Sequence, residues 1–159
     1  MDESYSQLQL VTFQLGAEQY GIDIMEVDGI VREENIRPIP NAPAYVEGIF
    51  NLRGSIIPVI NLHRRFHIKA ADLSEEDMLL SGLVIINLNN VLIGIIIDKV
   101  SRVVTVDTDR IQPPPQMLSG IGAEYIRGVI NQENGYLIIL DIHRMFDPKE
   151  LKQIGAFTK

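Results

Sequence analysis

Apolar residues fall in short runs rich in Val, Ile, Leu and aromatics, and turn residues separate the runs along almost the whole chain. Short apolar runs between turn signals predict strands, and few long helices are expected. Residues 8–15 read as a strand, Gly16-Ala17-Glu18 as a turn, and residues 19–24 as the returning strand. The plan recurs at residues 83–88, Asn89-Asn90 and residues 91–97, with Gly21 and Gly94 inside the second strand of each hairpin. A glycine inside a strand often marks a sharp bend or a close backbone approach, which small barrels need at their corners. Each hairpin leads to prolines, Arg37-Pro38-Ile39-Pro40 and Gln112-Pro113-Pro114-Pro115. Proline cannot donate to a central ladder, so these segments are connectors or edges.

The next segments repeat. Residues 45–66, YVEGIFNLRGSIIPVINLHRRF, are echoed without a gap by residues 125–146, YIRGVINQENGYLIILDIHRMF. Tyr45/Tyr125, Gly48/Gly128, Asn51/Asn131, His63/His143, Arg64/Arg144 and Phe66/Phe146 are identical, and most other positions exchange one apolar residue for another. Each copy reads as a strand pair and a short helix, with Asn61 and Asp141 as N-caps. A mainly β chain with this duplication predicts two small β-barrels rather than an open parallel sheet, the approximate halves spanning residues 8–66 and 82–146. Residues 67–81 form a connecting loop or short helix capped by Ser74, and residues 147–159 a C-terminal helix and tail. Symmetric positions are expected to build the scaffold. The asymmetric turn, Asn51-Leu52-Arg53-Gly54 against Asn131-Gln132-Glu133-Asn134, is where function is expected. The reversals Glu47/Arg127 and Arg53/Glu133 suggest ion pairs across the barrels.

The 159 residues suit one compact domain or two small, mutually supporting ones. With 46% hydrophobic residues the chain can fill a core, and its net charge of -7 disfavours nucleic acid and anionic membranes as partners. Cysteine is absent, which excludes disulfides and thiolate chemistry. The start, MDESYSQ, lacks the basic and apolar stretches of a secretory signal, and the apolar residues 83–97 are interrupted by asparagines and fall short of a membrane span.

Catalytic patterns are weak. His63 and His67 stand four apart, as metal-binding pairs do, but no carboxylate ligand lies near them in sequence, and ordinary exposed histidines are the better reading. Glu75-Glu76-Asp77 suits a solvated face, and Gly120-Ile121-Gly122 has Tyr125 where a dinucleotide fingerprint needs its third glycine. No phosphate loop, serine elbow or cysteine nucleophile occurs. No cofactor, metal or catalytic residue is expected. An oligonucleotide-binding barrel is opposed by 6% aromatic content, no tryptophan and the negative charge.

The runs at residues 13–27 (FQLGAEQYGIDIMEV), 39–66 (IPNAPAYVEGIFNLRGSIIPVINLHRRF) and 91–104 (VLIGIIIDKVSRVV), with RIQPPP at 110–115, resemble the CheW family of chemotaxis coupling proteins over nearly the whole chain. The resemblance implies a single domain of two intertwined five-stranded β-barrels, SH3-like or OB-like, around a pseudo-twofold axis, with strands exchanged between them. It also implies a cytoplasmic, non-enzymatic adaptor. Such an adaptor links the tips of methyl-accepting chemotaxis receptors to the regulatory domain of a CheA-type histidine kinase, in rings or arrays beneath the membrane. By resemblance the receptor docks near Asn51, Leu52, Arg53 and Gly54, with Arg53 as the central polar contact. A guanidinium at a turn tip suits multidentate bonds to carboxylates or carbonyls. Val27 and Asp28 form a second receptor-facing candidate, although Gly29 stands where many relatives carry Glu; Val27 and Ile30 read equally well as core at helical spacing. Val100, Val103 and Val104 are the kinase-facing candidates, with core again the alternative. An excised regulatory domain of a larger kinase or of a receiver fusion has the same pattern; the start methionine and the end at Lys159 favour a stand-alone protein.

Overall fold

The computed structural model describes residues 6–32, 35–114, 121–133, 135–146, 149, 150 and 152. The turn residues cut these into strands β1 (Gln7–Leu15), β2 (Glu18–Asp23), β3 (Val27–Val31), β4 (Val46–Leu52), β5 (Ser55–Ile60), β6 (Gly82–Leu88), β7 (Val91–Ile97), β8 (Lys99–Asp107), β9 (Ile126–Gln132) and β10 (Gly135–Leu140). Short helices are α1 (Leu62–Phe66), α2 (Glu75–Met78) and α3 (Ile142–Met145). Their N-caps are the expected ones: Asn61 Oδ1 accepts from Arg64 N at 3.0 Å, Asp141 Oδ1 from Arg144 N at 3.3 Å, and Ser74 Oγ from Asp77 N at 3.1 Å. Of the expected C-terminal helix, Lys149, Glu150 and Lys152 are helical and the remainder lies outside the described residues, as do Pro115, Gly120 and Asn134.

The strands form two five-stranded sheets, ordered β8-β1-β2-β10-β9 and β3-β6-β7-β5-β4. Each sheet mixes the halves. The first takes its opening hairpin from the first half and three strands from the second; the other sheet does the reverse. Parallel pairs make the joins, residues 19–21 with 137–139 and residues 59–60 with 94–95. Each barrel has its own small core, Leu8, Leu10, Ile130, Leu137 and Ile139 in one and Ile57, Val59, Leu83, Ile85 and Ile96 in the other. A larger cluster, including Phe13, Tyr20, Ile60, Leu62, Ile86, Ile138, Ile142 and Phe146, draws on both sheets and binds the barrels together.

The proline-bearing connectors lie along the outer edges of the hairpins that follow them. Arg37 exchanges backbone hydrogen bonds with Ile49 at 2.9 and 2.8 Å, and Gln112 with Val129 at 2.8 Å each. These crossings explain the repeated glycines. A Cβ on Gly48 would run into the Arg37 carbonyl oxygen, and one on Gly128 into Ile111 Cγ2, with Gln112 O at 2.9 Å.

Residues 27–31 are a strand, so the helical spacing of Val27 and Ile30 misleads. Val27 pairs with Ile86 and Gly29 with Ile85, leaving Asp28 as an extra residue. Such a bulge stretches the alternation of two to three residues and imitates a helical step. β8 carries the same irregularity, Val100 opposite Phe13 but Val103 opposite Val11. There the buried Thr12 hydroxyl donates to Arg102 O at 2.6 Å and accepts from Arg102 N at 3.1 Å. Val27 and Val100, Ile30 and Val103, and Val31 and Val104 thus occupy equivalent places in the two barrels.

Candidate functional site

Leu52 and Ser55 close the β4–β5 hairpin around a two-residue turn, with φ of 52° at Arg53 and 88° at Gly54. Two positive φ angles mark a type I′ turn, whose twist matches that of the strands. Asn51 Oδ1 accepts from Gly54 N at 2.9 Å and locks the turn from one side. Arginine is a poor choice for its left-handed position, which costs an ordinary residue about 1 kcal/mol and which Asn or Gly fills more easily. Residues held in such conformations concentrate at functional sites. The Arg53 side chain is exposed and makes no ion pair or hydrogen bond among the described residues. Beside the turn lies a cavity of about 250 Å³ walled by Asn35, Arg37, Phe50 and Ile56, the last 47% exposed. The turn tip therefore sets a cation beside an apolar hollow.

The other candidates lie on edge strands. Val27, at the start of β3, packs against the central cluster; Asp28, the bulged residue, is exposed, and Ile30 is 44% exposed rather than core. On β8, Val100 packs against the central cluster, Val104 against the first barrel's core, and Val103 is 51% exposed. Val100 and Val104 also line a groove of about 430 Å³ with Leu80, Arg102, Gln132 and Leu137. Asn51–Gly54 and Val27–Asp28 thus sit at the two ends of one sheet, and Val100, Val103 and Val104 on an edge of the other.

The expected ion pairs across the barrels are absent among the described residues. Glu47 is held locally, accepting from Asn61 Nδ2 at 3.0 Å and facing Arg64 at 3.5 Å, because the α1 cap stands directly beside it.

The repeated histidines, read from sequence as ordinary exposed ones, are paired. His63 is nearly buried, its Nε2 2.9 Å from Asp98 Oδ2. The same oxygen accepts from Gly16 N at 2.6 Å and Ala71 N at 3.2 Å, so one carboxylate ties α1, the β1–β2 turn and the connecting loop to the β7–β8 junction. His143 is half exposed, and its Nε2 meets Glu26 Oε2. Burial pushes the Glu26 carboxyl above its ordinary range; Asp23 and Asp141 push the same way and His143 opposes them. The repeat was the signal for these pairs, but the carboxylates are distant in sequence. His67 sits past the end of α1 in a left-handed conformation, and no group of three or more metal-ligating side chains occurs among the described residues.

Arg65 marks another break in symmetry, standing where the second half has Met145. Its guanidinium stacks 4.7 Å from the Tyr45 ring and 5.1 Å from Phe146, and binds Glu150 at 2.8 and 3.1 Å. Burial works against its charge, but Glu150 and Tyr45 outweigh it and hold the pKa above the ordinary value. Burial and Glu150 raise the Tyr45 hydroxyl.

A family model described as "CheW-like domain" matches residues 9–150. A chemotaxis protein CheW from Treponema pallidum is 58% identical over 149 residues, 94% of this chain and 88% of its own length. One from Klebsiella aerogenes is 29% identical over 151 residues, covering 95% and 89%. The crystal structure of the scaffolding protein TtCheW from Thermoanaerobacter tengcongensis superposes with a TM-score of 0.78 at 34% identity, with 91% of each chain covered. Duplicated barrels, the strained NLRG turn and these matches converge: the chain belongs to the CheW family of chemotaxis adaptor proteins.

Proposed function

We propose that this chain is a non-enzymatic adaptor that couples the cytoplasmic tips of chemoreceptors to the regulatory domain of a CheA-type histidine kinase. The observation that carries the reading is the Arg53 turn: a strained, exposed cation, unpaired among the described residues, beside an apolar hollow, in a repeat whose other copy has Glu133. A receptor tip is a helical hairpin, and its carboxylates or carbonyls would meet Arg53 while its apolar side chains fill the hollow by Phe50 and Ile56. Asn51, Leu52 and Gly54 shape that turn, and Asp28 with Val27 extends receptor contact on β3. The kinase domain docks on β8, where Val103 offers exposed apolar surface and Val100 and Val104 line the adjoining groove. The chain acts as a single domain in the cytoplasm, recruited to receptor arrays at the inner face of the membrane. Several modest contacts there reinforce one another through avidity. No cofactor takes part.

The test titrates the protein against a CheA-type regulatory domain and, separately, a receptor cytoplasmic hairpin, using wild type and Arg53→Glu. Wild type should bind both. The variant, folded by circular dichroism, should lose about thirtyfold or more for the receptor, the scale of an interface hot spot, and keep the kinase domain. Binding of wild type to neither would overturn the adaptor reading; equal loss of both partners would overturn the placement of the receptor at Arg53.

A further inference from the structure

The histidine repeated in α1 and α3 reaches out of its own half in both copies. His63, in the first half, meets the residue that joins β7 to β8; His143, in the second, meets the last residue before β3. The two carboxylates are not repeat partners. The register that matches Val27 with Val100 matches Glu26 with Lys99 and Met25 with Asp98. One duplicated histidine thus finds an acid twice, from two different positions, each at the threshold of an edge strand. An acid inherited with the repeat would stand at equivalent places.

Those strands need the support. Among the described residues β3 is laddered only to β6 and β8 only to β1, Val100 N adding one bond to Leu80 O at 2.9 Å, and a bulge interrupts each ladder within its first residues. An edge strand with a broken ladder is held weakly by its backbone alone. We propose that His63 and His143 are positioning residues for the two edge strands, His63 fixing β8 through Asp98 and His143 fixing β3 through Glu26. That these strands face partners rests on the function proposed above; the pinning itself does not.

The two pins differ in strength. Asp98 keeps two backbone donors if His63 is lost. Glu26 Oε2 is sealed from solvent and its paired side chain among the described residues is His143, with Asp23, Asp141 and Arg127 lining the same hollow. Without His143 a buried carboxylate oxygen must find water, which the start of β3 can admit only by moving.

Amide hydrogen exchange, read by NMR on the full chain, tests this without any partner. His143→Ala should speed exchange in residues 27–31 at least about tenfold more than in residues 99–107, and His63→Ala should favour residues 99–107 by a smaller factor, because Asp98 keeps its two backbone donors. Equal acceleration in the two strands, or none, would overturn the proposal. His143→Leu, which fills the volume without a donor, should behave as His143→Ala; restored protection would mean that packing, not pairing, holds β3, and would also overturn it. Should His63→Ala not fold, Asp98→Asn is read on β8 by the same criterion. Loss of partner binding by wild type would count against the adaptor role and leave the exchange result standing.

Discussion

The hairpin closed by Leu52 and Ser55 and the one closed by Gln132 and Gly135 have the same register in equivalent sheets, yet only the first holds an arginine at its tip. The frame is duplicated, so it controls for itself. Whatever the second hairpin lacks is not needed to build a hairpin of this kind, and Arg53 is such a thing. The histidine pins show the converse. Both halves keep them although the acids differ, so they belong to what both barrels require.

The comparison breaks hardest at the pins. Asp98→Ala should cost about 3 kcal/mol or more, because it strands His63 and the Gly16 and Ala71 amides in a nearly buried site. Glu26→Ala should cost far less, since it also removes a poorly solvated charge. Urea unfolding of both variants checks the order, and equal losses would contradict it. Next come the repeated glycines. Gly48→Ala should cost about 3 kcal/mol, because its methyl is driven into the Arg37 carbonyl, and Gly128→Ala about 1 to 2, because its nearest obstacle is the Ile111 side chain and the Gln112 carbonyl oxygen stands farther off, at 2.9 Å. Chemical denaturation of the pair would refute this if Gly128→Ala proved the worse. At the turn, Arg53→Asn should raise stability by about 1 kcal/mol while weakening receptor binding, a residue traded from function to fold. A less stable Arg53→Asn protein would show that the left-handed conformation carries no strain.

The smallest effect is in pH. Burial raises the Glu26 carboxyl, so the folded chain holds that proton to higher pH than the unfolded chain does. Its contribution to stability is complete below the ordinary glutamate range of about 4.3 and is lost as pH rises through the raised folded value. Glu26→Gln cannot ionise and should flatten that decline in Tm. Melting curves from about pH 4 upward with an unchanged slope would rule it out.

Much of the architecture could be read from residues. The duplication announced two like units, Asn61, Asp141 and Ser74 announced helix starts, and the prolines announced connectors. From the residues alone the strand exchange could not be seen, since β10 offers β2 the same apolar face that β5 would, and only the resemblance implied it. β3 was obscured by one bulged residue, which put Val27 and Ile30 three apart on one face, while the edge position of β3 leaves Ile30 exposed. At the candidate site the turn was legible because its asymmetry lies within four residues. The histidine pairs were not, because each spans the chain, 63 with 98 and 26 with 143.

The pairing of residues 19–21 with 137–139 sets the order of events during synthesis. The first barrel contains the earliest hairpin of the chain and its last two strands, so it cannot close until residue 140 has cleared the ribosome. The second barrel, whose last strand in sequence is β7, has all its parts some 40 residues sooner, by the separation of residues 97 and 140. Nascent chains therefore expose the apolar inner face of β1 and β2 for nearly the whole of translation, and ribosome-bound truncations ending between β7 and β10 should protect the second sheet before the first.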